Sequence, residues 1–216
     1  YFTGRVNDFD SENFQISFGE FSRLRGALDI EGLPNINETI FDITLNNSSI
    51  KSSDLSEYIG PAAFRITDKL GLVRLKGDFE GLISNFVTDG DFQTALGNFY
   101  SNTQIEIDST QKASYSGKLT MSDFDLGTFT GNDIFQRVDL EGTIEEGSGF
   151  KLEDADFVLN AKIGRVGING YDYENITTNG RFRESFFSGN VDVNDQNFIL
   201  GCGIASRGVN SFARYL

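Results

Sequence analysis

The sequence predicts an all-β protein: a coiled, mostly antiparallel sheet with an apolar groove and one short helix. Three observations carry this reading. Apolar and polar residues alternate with a period of two, as in Val138, Leu140, Ile144 and in Phe157, Leu159, Ala161, Ile163, the mark of strands with one dry face. Gly, Asn, Asp and Ser interrupt the alternation about every 8 to 12 residues, which leaves room for about sixteen short strands. Glycines also recur inside these runs, and a strand glycine marks a place where a sheet must bend, bulge or coil.

Taken in order, Gly26-Ala-Leu-Asp-Ile30 is the first glycine-led run. A helix of about two turns follows: Ser53 caps it, Asp54 and Glu57 sit in its first turn, Leu55, Tyr58 and Ile59 give it an apolar side, and Gly60-Pro61 stops it. The insertion over residues 53–69 and the run from Gly71 to Gly77 separate a front sheet from a back one within one continuous structure. Gly77-Asp-Phe-Glu-Gly81 resumes the alternation, and Tyr115, Leu119 and Met121 carry it on around Gly117. Residues 127–135 read as a helical turn before the strand at Val138. Val138, Leu140 and Ile144 span Gly142, and Val166, Ile168, Tyr171 and Tyr173 continue to Phe187, Gly189, Val191 and Val193.

Composition removes several functions. The 216-residue chain is 38% hydrophobic, enough for a buried core. With 32 acidic against 18 basic residues the net charge is −14, so the summed field repels nucleic acid and anionic membrane surfaces. No run approaches the roughly 18 apolar residues that a membrane helix needs, and the chain, starting at Tyr1 without a signal segment, reads as a piece of a longer one. Histidine is absent and Cys202 is the only cysteine, so the commonest proton shuttle is missing and no disulfide forms within the chain.

Catalysis has little to stand on. A Ser or Cys nucleophile lacks a histidine base, and the carboxylate pairs Glu153/Asp156, Asp89/Asp91 and Asp123/Asp125 read as solvated strand ends. Asp8-Phe-Asp10-Ser-Glu12 is similar to the start of a calcium loop, but Asn13 stands where that loop needs Gly. Gly201-Cys-Gly203 has Ser206 in place of the third glycine of a nucleotide loop. Four Asn-x-Ser/Thr sequons, at Asn37, Asn46, Asn47 and Asn175, are what an Asn- and Thr-rich β chain supplies by chance. The reading is therefore a non-enzyme with no catalytic residues, no metal and no cofactor.

Several pieces, in order, carry a family resemblance: the run from Arg25 to Pro34, Gly77 to Gly81, Ser116 to Gly127, Val138 to Ile144, Asn169 to Phe182 and Phe187 to Asp195. Together, with Gly170-Tyr-x-Tyr-x-Asn-Ile176 the most specific, they resemble the translocation and assembly module (TamB) type of the AsmA-like family over residues 1–200. The resemblance implies an elongated U-shaped, β-taco-like sheet in the periplasm, part of a bridge whose full-length chain is anchored in the inner membrane. It implies phospholipid transport between the membranes or outer-membrane protein assembly, with phospholipid acyl chains and an outer-membrane barrel of the Omp85 type as partners.

Under this reading the groove is lined by Leu119, Met121, Val138, Leu140, Ile144, Phe157, Leu159, Val166, Ile168, Phe182, Val191 and Val193, in contact roles only. An exposed apolar trough signals a partner, and acyl chains contribute about 0.8 kcal/mol per buried CH₂. About sixteen strands at about 4.8 Å spacing reach on the order of 75 Å. Charges placed in the trough, Leu140→Asp or Ile168→Arg, are expected to obstruct acyl chains more than they unfold the sheet. Residues 201–216 break the pattern and read as an atypical tail: disordered, appended, frame-shifted or truncated. The alternative to lipid transport is a structural or adhesive β module with a closed core.

Overall fold

The computed structural model describes residues 3–5, 7–57, 61–110, 112–149, 154–184, 186–197 and 199–207. Strands dominate: β1 (Thr3–Arg5), β2 (Asp8–Phe18), β3 (Ser22–Glu31), β4 (Ile40–Lys51), β5 (Leu72–Leu82), β6 (Asn85–Thr94), β7 (Gly97–Ile107), β8 (Ala113–Asp125), β9 (Phe135–Ser148), β10 (Asp156–Ile168), β11 (Tyr171–Arg183), β12 (Phe186–Asn194) and β13 (Ile199–Arg207). They pair in chain order, each with its sequence neighbours. The pairing is antiparallel from β1 to β6 and from β8 to β13. The all-β antiparallel sheet read from the sequence is what the chain forms.

The chain packs as two compact units, one of residues 1–95 and 100–111, the other of residues 96–99 and 112–216. Three expectations change. Among the described residues thirteen strands replace about sixteen, because the strands run through glycines such as Gly142, Gly180 and Gly189. Among the described residues, the helix expected from Ser53 is a 3₁₀ turn at Ser52–Leu55 followed by α1 (Pro61–Lys69), and the helical turn expected over residues 127–135 is α2 (Leu126–Thr130). Pro61 opens a helix where it was expected to stop one: a residue without an N–H costs nothing at a first helical position. Tyr58, Ile59 and Gly60 lie outside the described residues. Residues 201–207 of the expected tail extend β13, with Cys202 in register with Val191. Residues 208–216 are outside the described set.

In the first unit one sheet face is apolar. Register places Phe14, Gly26, Leu45, Gly77 and Gly90 in one row, and Ser11, Leu28, Ile43, Phe79 and Thr88 in the next. Phe14, Leu28, Leu45 and Leu75 form the buried centre, with Phe9, Leu24, Ile30, Ile43, Ile50, Phe79 and Phe92 packed against it. The opposite face carries Asp10, Asp29, Asp42 and Glu80.

Backbone irregularities set where strands turn. Asn47, Asp123, Glu146 and Asn175 have φ of 48 to 52°, in the left-handed region. Asn47 sits in the register shift between Leu45 and Ser48, and Asp123 in the shift between Met121 and Phe124. An extra residue at a bulge bends its strand and raises the local twist. Asn and Asp tolerate the required dihedrals because their short polar side chains bond locally.

A candidate apolar groove on strands β8 to β12

In the second unit the register resolves the apolar face into rows that cross the strands. Met121, Leu140, Ile163, Ile176 and Val193 form one row; Leu119, Gly142, Ala161, Thr178 and Val191 the next; Gly117, Ile144, Leu159, Gly180 and Gly189 a third. Phe157, Phe182 and Phe187 lie beyond the third, and Phe124, Val138, Val166 and Tyr173 beyond the first. Eleven of the twelve residues expected to line the groove therefore share one face, and the twelfth, Ile168, lies further along β10, paired with Tyr171 and Phe135. The other face is polar, with Thr120, Glu141, Lys162, Thr177 and Asp192 in register.

Burial divides the twelve into two groups. Val138, Val166, Ile168, Val191 and Val193 are buried, whereas Leu119, Met121, Leu140, Ile144, Phe157, Leu159 and Phe182 are only half-buried. The half-buried set forms an apolar strip that its own neighbours do not cover. Phe157 and Phe182 stack at its margin, 5.3 Å between ring centroids.

The buried end is closed by α2. Asp125 accepts a hydrogen bond from the Thr128 N–H (2.9 Å), which caps the helix, and Gly131 ends it in the left-handed conformation. Its Phe129 meets Phe124 edge to face at 5.5 Å, and Phe124 meets Phe99 in the same manner at 6.1 Å. Phe124 is 1% exposed, the most buried apolar side chain of the unit. It, Ile176 and Ala161 belong to this face and were absent from the expected lining. The extra residue of the bulge shifts Phe124 out of the phase set by Leu119 and Met121.

One pair shows why glycine is needed on the face. Gly180 and Gly189 stand opposite each other, and a Cβ on Gly189 would lie 2.3 Å from both the Asn179 carbonyl oxygen and the Gly180 Cα. The two strands approach there closer than any side chain permits.

Charges on the polar face pin the bulges. Asp139 accepts from the Asp123 N–H (2.7 Å) and pairs with Arg165 (3.0 Å), which also reaches Asp123 (3.0 Å); Arg137 joins Asp123 at 2.7 Å. The Asp123 N–H bond and then the Arg165 bond hold the Asp139 carboxyl below its usual range, against the opposing effect of partial burial. Asp156 binds Arg181 and Arg183, each at 2.7 Å. Such exposed pairs contribute about 0 to 1 kcal/mol each, and they fix geometry more than they stabilise.

The weak motifs resolve in structural terms. Asp89 and Asp91 are exposed, with Asp89 accepting from Tyr100 Oη and Asn102 Nδ2. Asp123 and Asp125 serve the bulge and the α2 cap; Glu153 lies outside the described residues. The stretch from Asp8 to Asn13 is part of strand β2 and not a loop. Asp8, Asp29 and Glu31 bring carboxylates within 4.8 Å of one another, all exposed on the acidic face. No described helix is long and apolar enough to cross a membrane. No family model, curated protein or solved structure matches this chain.

Proposed function

We propose that the apolar face of β8 to β12 holds hydrocarbon, and that the chain is a segment of a periplasmic, TamB-like bridge carrying phospholipid or assisting outer-membrane protein assembly. The observation behind this reading is the strip of seven half-buried apolar residues, Leu119, Met121, Leu140, Ile144, Phe157, Leu159 and Phe182, on one continuous face. Their carbon surface stays partly in water in the free protein, and an acyl chain laid along them removes about 0.8 kcal/mol of unfavourable contact per buried CH₂. Sequence resemblance supplies the setting: an inner-membrane anchor elsewhere in the full-length chain and an Omp85-type barrel as partner. Neither bound groups nor acid–base machinery is part of the reading.

The second reading, a structural or adhesive module with a closed core, draws on the burial of Phe124, Val138, Val191 and Val193, each 1 or 2% exposed. Native mass spectrometry of protein purified without detergent separates the two. The groove reading expects co-purified phospholipid or saturable uptake of a fluorescent fatty acid; a lipid-free protein that binds no fatty acid leaves only the closed module.

A further inference from the structure

The connection from β2 to β3 is Gly19, Glu20 and Phe21, and it encloses a carboxylate from far along the chain. Asp54, in the 3₁₀ turn after β4, accepts from the Glu20 N–H (3.2 Å) through Oδ1, and from the Phe21 N–H (2.9 Å) and Ser22 Oγ (2.8 Å) through Oδ2. Both oxygens are thus held by three donors from one short turn. Gly19 makes the room: its φ is +60°, and a Cβ there would lie 2.2 Å from Asp54 Cγ.

The donors are themselves fixed. Ser22 is 2% exposed and its Oγ accepts from the Lys51 N–H at 3.1 Å, which leaves the hydroxyl proton directed to Asp54. The Lys51 ammonium lies 4.0 Å from the Phe21 ring centroid, a cation over an aromatic face beside the same turn. Successive backbone N–H groups turned toward one point form a concavity that selects anions. Two amide donors and a hydroxyl spread over two oxygens suit a planar carboxylate better than a spherical halide.

We infer that the β2–β3 turn is a carboxylate-binding nest which Asp54 fills in cis, clipping the 3₁₀ turn to the hairpin, and which accepts a small external carboxylate once that side chain is removed. The site belongs to the first unit and the proposed groove to the second, and the inference does not depend on the groove. Ordinary surface hydrogen bonding predicts no such exchange of occupant, so the two accounts are separable.

The experiment uses the whole chain carrying Asp54→Ala, with sodium acetate or formate titrated against sodium chloride at fixed ionic strength near pH 7. Amide resonances of Glu20 and Phe21 should shift saturably with acetate and not with chloride. Hydrogen exchange at those amides, about tenfold faster in the variant than in the parent, should return toward the parental rate. The parent, its nest occupied, should show no saturable shift. Amides that ignore acetate in the variant, or that respond alike in both proteins, overturn the inference. If Asp54→Ala does not fold, Asp54→Asn keeps the side-chain volume with a single acceptor. Faster exchange at Glu20 or Phe21 without an acetate response is then expected, and parental exchange rates at both overturn the inference.

Discussion

Two aspartates placed two residues apart on the same strand face should behave in opposite ways. Val138 is 2% exposed and Leu140 half-buried, and both belong to the apolar face of β9. Val138→Asp forfeits the transfer energy of a buried valine, about 1.5 to 3 kcal/mol. It also leaves an unpaired carboxylate inside, a penalty of several kcal/mol. The sum is comparable with the roughly 5 to 15 kcal/mol that holds a domain together. Leu140→Asp keeps its charge hydrated at the strip and loses only part of a leucine contact, about 1 kcal/mol. With a urea slope of about 2 kcal/mol/M, the midpoints should differ by about 2 M, Val138→Asp being the less stable. Leu140→Asp, still folded, should bind a fluorescent fatty acid at least about tenfold more weakly than the parent, since a fixed charge at the strip forfeits several CH₂ contacts. Equal midpoints would refute the division between closed and open rows. Parental fatty-acid affinity in Leu140→Asp would remove acyl chains from this strip. Ile168→Arg falls on the closed side of the division: at 5% exposure, Ile168 should behave as Val138 does, which corrects the expectation that it would merely obstruct the groove.

Other outcomes follow from the same geometry. Phe124→Ala opens a cavity between Phe99 and Phe129 and should cost about 3 to 5 kcal/mol, read by denaturant melts. Gly189→Ala drives a methyl into the Asn179 carbonyl and should cost about 1 to 3 kcal/mol, with faster hydrogen exchange confined to β11 and β12. Tyr115 donates to the Gly149 carbonyl at 2.8 Å, and burial, with the Asp154 charge second, pushes its hydroxyl up to about 12. The unfolded tyrosine loses its proton near pH 10, so the folded state binds the proton more tightly, and stability should be full below pH 10 and fall as pH rises toward 12. Solvent contact limits that loss to about 1 kcal/mol; in Tyr115→Phe the fall should vanish.

How much of this was readable in advance depended on whether strands kept their phase. From Leu119 to Met121, and from Val138 to Leu140, each side chain alternates as the period-2 rule requires, and the lining residues landed on one face. At Asp123 the extra residue reverses the phase, so Phe124, the most buried apolar side chain described, appeared on the wrong side of the pattern. Nothing local distinguishes an Asp in a bulge from an Asp at a strand end. A similar ambiguity inflated the strand number: a glycine is as suited to a turn as to the close approach of two strands, and Gly142, Gly180 and Gly189 lie inside strands. Helix boundaries failed for a related reason, since Gly60-Pro61 is compatible with either a stop or a start. Burial was the least legible property. Whether Leu140 or Val138 is covered depends on what packs above the sheet, and in this chain the closing element is α2, five residues long.

The consecutive strand order has a kinetic side. When every strand pairs with the one just made, loops to be closed stay short, and the entropy of bringing partners together stays low. A hairpin that has formed offers a template for the next, so either unit can assemble by zipping from any nucleus, much as solenoid repeats do. The same arithmetic makes chain length adjustable: adding or deleting one whole hairpin with its own short turn leaves every remaining ladder intact. An odd insertion within a strand that no bulge absorbs instead slips the register and turns an apolar row toward water.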